Sequence, residues 1–301
     1  MKELTSSGKK IKCVATIGVF DGLHRGHIYL LKKLKKISSF YNLPSLVITF
    51  WPDPEEILNK NFLGYLTTLE EKKKIISSLG IDYLWILKAS PTFLKLEGEI
   101  FLKKIFRRLE IKTLVVGEDF SFGYKAKTKI AELLRISHQR KFKLIVIKKR
   151  KREGIPVSSS LIRRLIKKAD FDKAKKFLGR EFVWEFEVTS GLGLGRRLGF
   201  PTLNLKNCGC VLPENGVYAV RIINKKKYLG VCNIGFKPTI GKNKNLSIEV
   251  HILNWKGKWR RRKIKLSFLE KIREEKKFST LEELKKTIEK DIQFVLTRFR
   301  V

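Results

Sequence analysis

Gly18-Val19-Phe20-Asp21-Gly22-Leu23-His24-Arg25-Gly26-His27 is an apolar run that ends in a glycine-punctuated turn and two histidines three residues apart. Upstream, Cys13 to Ile17 reads as a strand; downstream, Ile28, Leu30, Leu31, Leu34 and Ile37 recur at helical spacing. The stretch is therefore a strand running into a helix whose first turn carries both imidazoles, where backbone N–H groups have no intrahelical partner. Such a place attracts phosphate. The glycines let the backbone approach a ligand closely, and an imidazole can donate a hydrogen bond to a phosphoryl oxygen without a fixed positive charge. Two of the chain's 4 histidines share this one helix start, which favours a functional turn over a structural one. As a metal pair they lack a third ligand at recognisable spacing.

Beyond the first helix, apolar β-rich runs at Ser45–Phe50, Tyr83–Leu87, Thr113–Gly117 and Lys143–Ile147 alternate with segments of helical periodicity. This alternation predicts a parallel sheet covered by helices. Thr68-x-x-Glu71 predicts a capping box and Gly80 a helix stop. Ligands of such sheets bind outside the carboxyl ends of the strands. Three loops should converge there with His24 and His27: Phe50-Trp-Pro52-Asp53-Pro54, Gly117-Glu-Asp119-Phe120-Ser-Phe122-Gly123, and Val157-Ser158-Ser159-Ser160-Leu-Ile-Arg163. The last offers hydroxyls, free N–H groups and a guanidinium suited to a polyphosphate. Ser158 or Ser159 also fits an ordinary N-cap.

Near residues 176–183 the pattern changes to strands divided by Gly, Pro and Asn turns, which sets the expected domains at 1–180 and 181–301. Strands are expected at Phe182–Thr189, Val217–Ile222, Tyr228–Ile234, Leu246–Leu253 and Lys263–Leu269. A closing helix should follow a capping box at Ser279-x-x-Glu282. This predicts a small antiparallel barrel with one terminal helix. The loop Gly191-Leu-Gly193-Leu-Gly195-Arg196-Arg197-Leu-Gly199-Phe-Pro201-Thr202-Leu-Asn204 follows its first strand. Glycine-rich backbone can wrap phosphates, and the Thr202 hydroxyl and Asn204 carbonyl are hard oxygen ligands for Mg²⁺. The Gly-Lys-Ser/Thr ending of a Walker A loop is absent. On the strand Ser247–Leu253, alternation puts Glu249 on one face with Ser247 and His251, where a semi-buried carboxylate can act as general base or form a salt bridge. Asn233 and Arg273 stand at further strand or loop ends.

A chain of 301 residues with 43% apolar and 11% aromatic content has the composition of a folded protein of two domains. No apolar run approaches the roughly 20 residues of a membrane span. The N-terminus MKELTSSGKK lacks a signal-peptide core, so a cytoplasmic protein with reduced cysteines is expected. Cys208-Gly-Cys210 has no matching second half for a metal site. The net charge of +37 raises a nucleic-acid reading. However, residues 1–180 hold 40 Lys+Arg against 17 Asp+Glu and residues 181–301 hold 26 against 12. A dedicated binding stripe would concentrate the charge, whereas both parts are basic to a similar degree. Lys148 to Arg152 and Arg260 to Lys263 are the local clusters.

The HxGH element resembles the signature of the nucleotidyltransferase superfamily, and the whole chain resembles the bifunctional prokaryotic riboflavin kinase/FAD synthetase family. The resemblance rests on G-x-FDG-x-H-x-GH at 18–27, TF-x-P-x-P at 49–54, VG-x-DF-x-FG at 116–123 and SS-x-x-x-R at 158–163. In the second half it rests on G-x-x-x-GR-x-x-GFPT-x-N at 191–204, GVY at 216–218, NIG-x-x-PT at 233–239, EVHIL at 249–253 and IR-x-E-x-x-F at 272–278. It implies a Rossmann-like α/β nucleotidyltransferase domain followed by a small β-barrel riboflavin kinase domain. It implies Mg²⁺ as cofactor and ATP, riboflavin and FMN as substrates, with no specific nucleic acid, no membrane, and a weak homo-oligomer left open.

Position by position, the resemblance makes Glu249 the base of riboflavin phosphorylation. Thr202 and Asn204 become Mg²⁺ and phosphate ligands, with Gly191, Gly195, Arg196, Gly199, Pro201, Asn233 and Arg273 around the substrates. In adenylylation, His24 and His27 stabilise phosphate charge, Ser158, Ser159 and Arg163 hold pyrophosphate, and Gly18, Phe20, Asp21, Gly26, Pro52, Asp53, Gly117, Asp119, Phe120 and Phe122 complete the nucleotide and flavin sites. Pro52-Asp53-Pro54 departs from the family's P-H-P and places a carboxylate near two anionic substrates. A chain retaining only the kinase is the alternative this departure raises. A nucleic-acid-binding protein on the same scaffold is the alternative from another class.

Overall fold

Cys13 to Ile17 are all buried, so this strand is covered on both faces, as an inner strand of a parallel sheet must be. The computed structural model describes residues 1–5, 10–190, 195, 198–224, 226–237, 245–255, 257 and 259–299. Two compact units divide the chain, Met1–Ile162 and Arg163–Val301.

In the first unit β1 (Lys2–Glu3), β2 (Ile11–Ile17), β3 (Ser45–Trp51), β4 (Tyr83–Lys88), β5 (Leu109–Gly117) and β6 (Lys143–Ile147) form one parallel sheet in the order β1-β4-β3-β2-β5-β6. Alternation along β2 sends Cys13, Ala15 and Ile17 to one core. There they meet Phe101, Leu102 and Ile105 of helix Gly98–Arg108 and Leu133 and Ile136 of helix Ile130–Gln139. Val14 faces the other core, with Leu30, Leu31 and Leu34 of helix Arg25–Phe40 and Ile76 of helix Leu69–Ser78. The chain leaves β2 toward β3 on one side and returns to β5 on the other, which makes the carboxyl ends of β2 and β5 the switch point at which sheets of this kind take their ligands. The expected cap holds: the Thr68 hydroxyl accepts from Glu71 N at 3.2 Å.

A short hairpin, β7 (Lys151–Arg152) and β8 (Ile155–Pro156), precedes helices Ser159–Lys167 and Phe171–Leu178. Successive strands then begin at Trp184. In the second unit β9 (Trp184–Thr189), β10 (Thr202–Lys206), β11 (Gly216–Ile223), β12 (Lys227–Lys237), β13 (Asn245–Ile252) and β14 (Lys263–Arg273) close an antiparallel barrel in the order β10-β13-β12-β11-β14-β9. Thr202–Lys206, read from sequence only as part of a ligand loop, is thus a full barrel strand. On β13 the buried Ile248, Val250 and Ile252 turn inward, and the half-buried Glu249 and His251 turn outward. The terminal helix Leu281–Arg298 packs Val295 on Ala219, Leu229 and Leu253 outside the barrel.

One expectation needs correction. The cap of the terminal helix is Thr280, whose hydroxyl accepts from Glu283 N at 3.1 Å, and Ser279 N donates to Glu283 Oε2 at 3.2 Å. Thr280-Leu281-Glu282-Glu283 repeats the capping pattern one residue after Ser279, and Ser279 falls just outside the helix.

Candidate active sites

The imidazole site begins where β2 ends. A Cβ on Gly18 would come within 2.9 Å of the Phe20 ring, so glycine lets that ring fold back over the strand end. Phe20 takes φ 52 and Gly22 φ 76, and the left-handed turn delivers His24 to the N-cap of helix Arg25–Phe40. His24 Nδ1 accepts from His27 N at 3.3 Å, which leaves Nε2 as the protonated nitrogen of the neutral His24 ring. The two imidazoles stack at 3.7 Å between centroids and 18°, and the Phe20 ring stands edge-on to His27 at 5.3 Å. Gly26 belongs to the same packing, because a Cβ there would lie 3.1 Å from the His24 ring. Burial first, then the neighbouring His24 and the Lys72 charge, hold His27 well below the usual imidazole range, so it is a neutral ring at pH 7. Its Nδ1 is buried with no hydrogen-bond partner among the described residues.

Asp21 is 2% exposed, and its carboxylate accepts from Leu66 N at 2.9 Å, Thr67 N at 3.1 Å and the Thr67 hydroxyl at 3.0 Å. Gly22 N donates back to Thr67 Oγ1 at 2.9 Å. The carboxylate therefore braces the turn. The Ser159 hydroxyl donates to the Asp21 carbonyl at 2.9 Å and so joins this turn, while Ser158 caps its own helix through Leu161 N at 3.3 Å. Arg163, one turn further along the helix, is buried.

Pro52 follows Trp51 through a cis peptide bond. Asp53 is buried, and its carboxylate caps helix Pro54–Leu58 by accepting from Glu55 N at 2.9 Å. Its charge thus lies at a helix N-terminus, where the helix dipole stabilises it. Gly117 ends β5. Asp119 pairs with Lys149 at 2.9 Å, and Phe120 stacks on the buried Phe122 at 5.3 Å between centroids.

The carboxylate site lies on the outer face of the barrel. Strand register sets Asn204 of β10 and Asn233 of β12 directly opposite Glu249 of β13, one on each side. The row continues from Asn233 to Val217 on β11 and from Val217 to Arg273 on β14. The Thr202 hydroxyl lies 3.4 Å from Glu249 Oε2, and the Ser247 hydroxyl 3.3 Å from Oε1. His251 Nδ1–H donates to the Pro201 carbonyl at 2.8 Å, tying the glycine loop's exit to β13. Gly195 tolerates no side chain, because a Cβ would lie 2.4 Å from the Phe200 carbonyl. Gly199 has φ 89.

A cavity of about 220 Å³ opens over this row. Thr202, Asn233 and Glu249 form its floor, and Phe278, Leu284 and Ile288 form its apolar wall. Arg273 borders the cavity but turns its guanidinium to Asp291 of the terminal helix, with Nε–Oδ1 at 3.1 Å and Nη2–Oδ2 at 2.9 Å. Gly191 and Arg196 lie outside the described residues, as do Pro238 and Thr239.

Both halves suit phosphoryl chemistry. The first offers neutral ring donors at a helix start, and the second a carboxylate aligned with hydroxyl and amide oxygens. Thr202 and Asn204 bring hydroxyl and amide oxygens beside the Glu249 carboxylate, donors of the hard kind that fit a cation such as Mg²⁺ with water and phosphate completing its shell. Sequence reasoning did not single out Thr67, Lys72 or Asp291. Lys72 and Asp291 sit in charged helical runs that read as solvated, yet they are 2% and 4% exposed.

A family model described as FAD synthetase matches residues 6–161, and one described as riboflavin kinase matches residues 178–299. A bifunctional riboflavin kinase/FMN adenylyltransferase of Buchnera aphidicola subsp. Schizaphis graminum is 39% identical over 95% of this chain and 94% of its own. Proteins of the same description from Listeria monocytogenes and Escherichia coli K12 are 31% and 34% identical, over 96% and 93% of this chain and 93% and 90% of theirs. Among solved structures, one named as a macrolide-efflux protein from Streptococcus pneumoniae has a TM-score of 0.82 at 25% identity. It covers 96% of this chain, and 95% of its own length is matched. That likeness is one of fold over the full length. Among the described residues no helix is long and apolar enough to cross a membrane.

Proposed function

The chain belongs to the bifunctional riboflavin kinase/FMN adenylyltransferase family, and from that premise we propose which residues carry each of its two reactions. It phosphorylates riboflavin with ATP to give FMN, and it adenylylates FMN with a second ATP to give FAD and pyrophosphate. The observation that carries the assignment is that each unit gathers one phosphate-handling constellation from its own elements: the imidazole pair on the turn after β2, and the Asn204–Glu249–Asn233 row on the barrel.

In the kinase reaction Glu249 takes the proton of the ribityl 5′-hydroxyl as its oxygen bonds to the γ-phosphorus and the bond to ADP breaks. The contacts of Thr202 and Ser247 hold its two oxygens in place. Asn233 orients the substrate hydroxyls, and the apolar wall of Phe278 and Leu284 receives the flavin ring. Thr202 and Asn204 would hold Mg²⁺, which when bound neutralises phosphate charge. Gly191, Gly195, Arg196, Gly199 and Pro201 belong to the loop over the nucleotide. Arg273, clamped by Asp291, fixes the terminal helix against the barrel beside the flavin wall.

In the adenylyl reaction a phosphate oxygen of FMN bonds to the α-phosphorus as the bond to the leaving pyrophosphate breaks. The neutral His24 and His27 donate hydrogen bonds to the oxygens on which charge develops. Ser158, Ser159 and Arg163 hold the pyrophosphate. Gly18, Phe20, Asp21 and Gly26 shape the turn, while Pro52, Asp53, Gly117, Asp119, Phe120 and Phe122 border the flavin and adenosine. We place the functional division at 1–180 and 181–301, the protein in the cytoplasm with its ATP, and its partners among small molecules, with no specific nucleic acid and no membrane.

The test is to incubate the protein with riboflavin, Mg²⁺ and ATP and separate the flavins by chromatography over time. FMN followed by FAD is the expected course. FMN accumulating without FAD would leave a riboflavin kinase alone, and no conversion would overturn both assignments.

A further inference from the structure

Helix Leu69–Ser78 carries Glu70-Glu71-Lys72-Lys73-Lys74, a run that reads as a solvated face. Lys73 behaves that way, with its ammonium on Glu3 at 2.9 Å and Glu70 at 3.6 Å. Lys72 does not, being 2% exposed. Withdrawing an ammonium from water is costly, so its placement calls for an account. Lys72 Nζ donates to the Val19 carbonyl at 2.8 Å and lies 5.7 Å from the centroid of the Trp51 ring. The same carbonyl accepts from the Thr49 hydroxyl at 2.9 Å. Val19 immediately precedes Phe20, the left-handed residue whose ring abuts His27. The buried amine therefore grips the peptide from which the imidazole turn springs.

We propose that Lys72 is a positioning residue of the adenylylation reaction, its buried ammonium clamping the Val19 carbonyl and setting a fixed positive charge beside the imidazole pair. A turn built on neutral imidazoles at a helix N-terminus supplies only partial charges to a triphosphate. A lysine inside the protein wall adds a positive field that solvent screens poorly, acting together with the buried Asp21 carboxylate on the same turn. The division of labour follows from chemistry: the imidazoles donate short-range hydrogen bonds, and the lysine supplies the field without competing for the phosphate oxygens. Burial first, then His24, then this field oppose protonation of His27, so the ring stays a neutral donor. Among the described residues, His24 from the helix cap and Lys72 from helix Leu69–Ser78 are the titratable groups acting on His27, and Phe20 faces it as an apolar edge.

This inference rests on the adenylylation reading of the first unit, and its test separates the two. The full chain is compared as wild type, Lys72→Gln and Lys72→Met. FMN-dependent FAD formation is measured beside riboflavin phosphorylation, and the His27 ring is followed by NMR from about pH 8 down to the acid limit of the folded protein. Gln keeps an N–H for Val19 and removes the charge; Met removes both. In Lys72→Gln the His27 midpoint is expected to rise toward the ordinary 6.5, and the acid limb of FAD formation to move up with it. In Lys72→Met the rate should fall further, up to about 100-fold through misplacement of the turn, with riboflavin phosphorylation unchanged. If Lys72→Met fails to fold, Lys72→Gln decides alone. A His27 titration in Lys72→Gln identical to wild type, or undiminished FAD formation in both variants, would overturn the proposal. Wild-type protein that forms no FAD from FMN and ATP would instead overturn the adenylylation reading, whatever the titration gives.

Discussion

The two proposed phosphate sites are opposite constructions. In the first unit the reactive groups come from one ten-residue stretch, and the fold's contribution is to brace that stretch from behind, through Thr67 on Asp21, Lys72 on Val19 and Ser159 on the Asp21 carbonyl. In the second unit nearly every group comes from a different strand. Asn204, Glu249, Asn233, Val217 and Arg273 meet because the register of five strands sets them side by side. A local turn keeps its groups adjacent by covalent connection and needs support against deformation. A strand row needs its whole barrel, because a slip of one residue would turn Glu249 inward.

The sharpest way to break this comparison is Glu249→Gln. Removing the only carboxylate in the central row should cut riboflavin phosphorylation by about 10² to 10⁴-fold while FAD formation from supplied FMN continues. Loss of both rates together would show that the sites are not independent. His27→Ala is the converse and should reduce FAD formation by about 10² to 10³-fold, the loss typical of one charge-stabilising donor, with FMN production intact in a kinase assay. Asp291→Asn probes dependence on the barrel's outer support. It leaves the guanidinium of Arg273 without its bidentate partner, and breaking such a pair costs about 3 kcal/mol or somewhat less at this partial exposure. Urea denaturation should show the loss in the second unit, accompanied by a raised KM for riboflavin as the Phe278 wall loosens.

The smallest effect should come from Asp53→Ala. The carboxylate caps helix Pro54–Leu58, so its loss should cost about 1 kcal/mol of stability, and Asp53→Asn, which can still cap, should cost less. FAD formation should change little in either variant. A large gain of adenylylation in Asp53→Asn would mean that the charge repels the substrates after all.

The imidazole turn was legible because its groups are contiguous and its periodicity changes from strand to helix at Gly18–His27. Thr202 and Asn204 stood out as oxygen donors but not as a strand, since glycines and a proline crowd their N-terminal side and mask the alternation of β10. The role of Asp53 as a helix cap was not legible, because sequence gives its proximity to a ligand loop without showing the Glu55 N–H that receives the carboxylate. Lys72 and Asp291 were hidden for a related reason. Each lies among like and unlike charges on an amphipathic helix, and only tertiary packing decides which member of such a run turns inward. The terminal cap was misread by one residue because Ser279 and Thr280 present the same pattern in successive registers.

If one chain carries two independent sites, two variants each lacking one of them should complement each other in a mixture. Glu249→Gln and His27→Ala proteins are combined with riboflavin, Mg²⁺ and ATP, and FAD is followed by chromatography. FMN made by His27→Ala protein should be released and converted to FAD by Glu249→Gln protein, so that the mixture forms FAD faster than either variant alone. A mixture in which FMN accumulates and no FAD appears would contradict it.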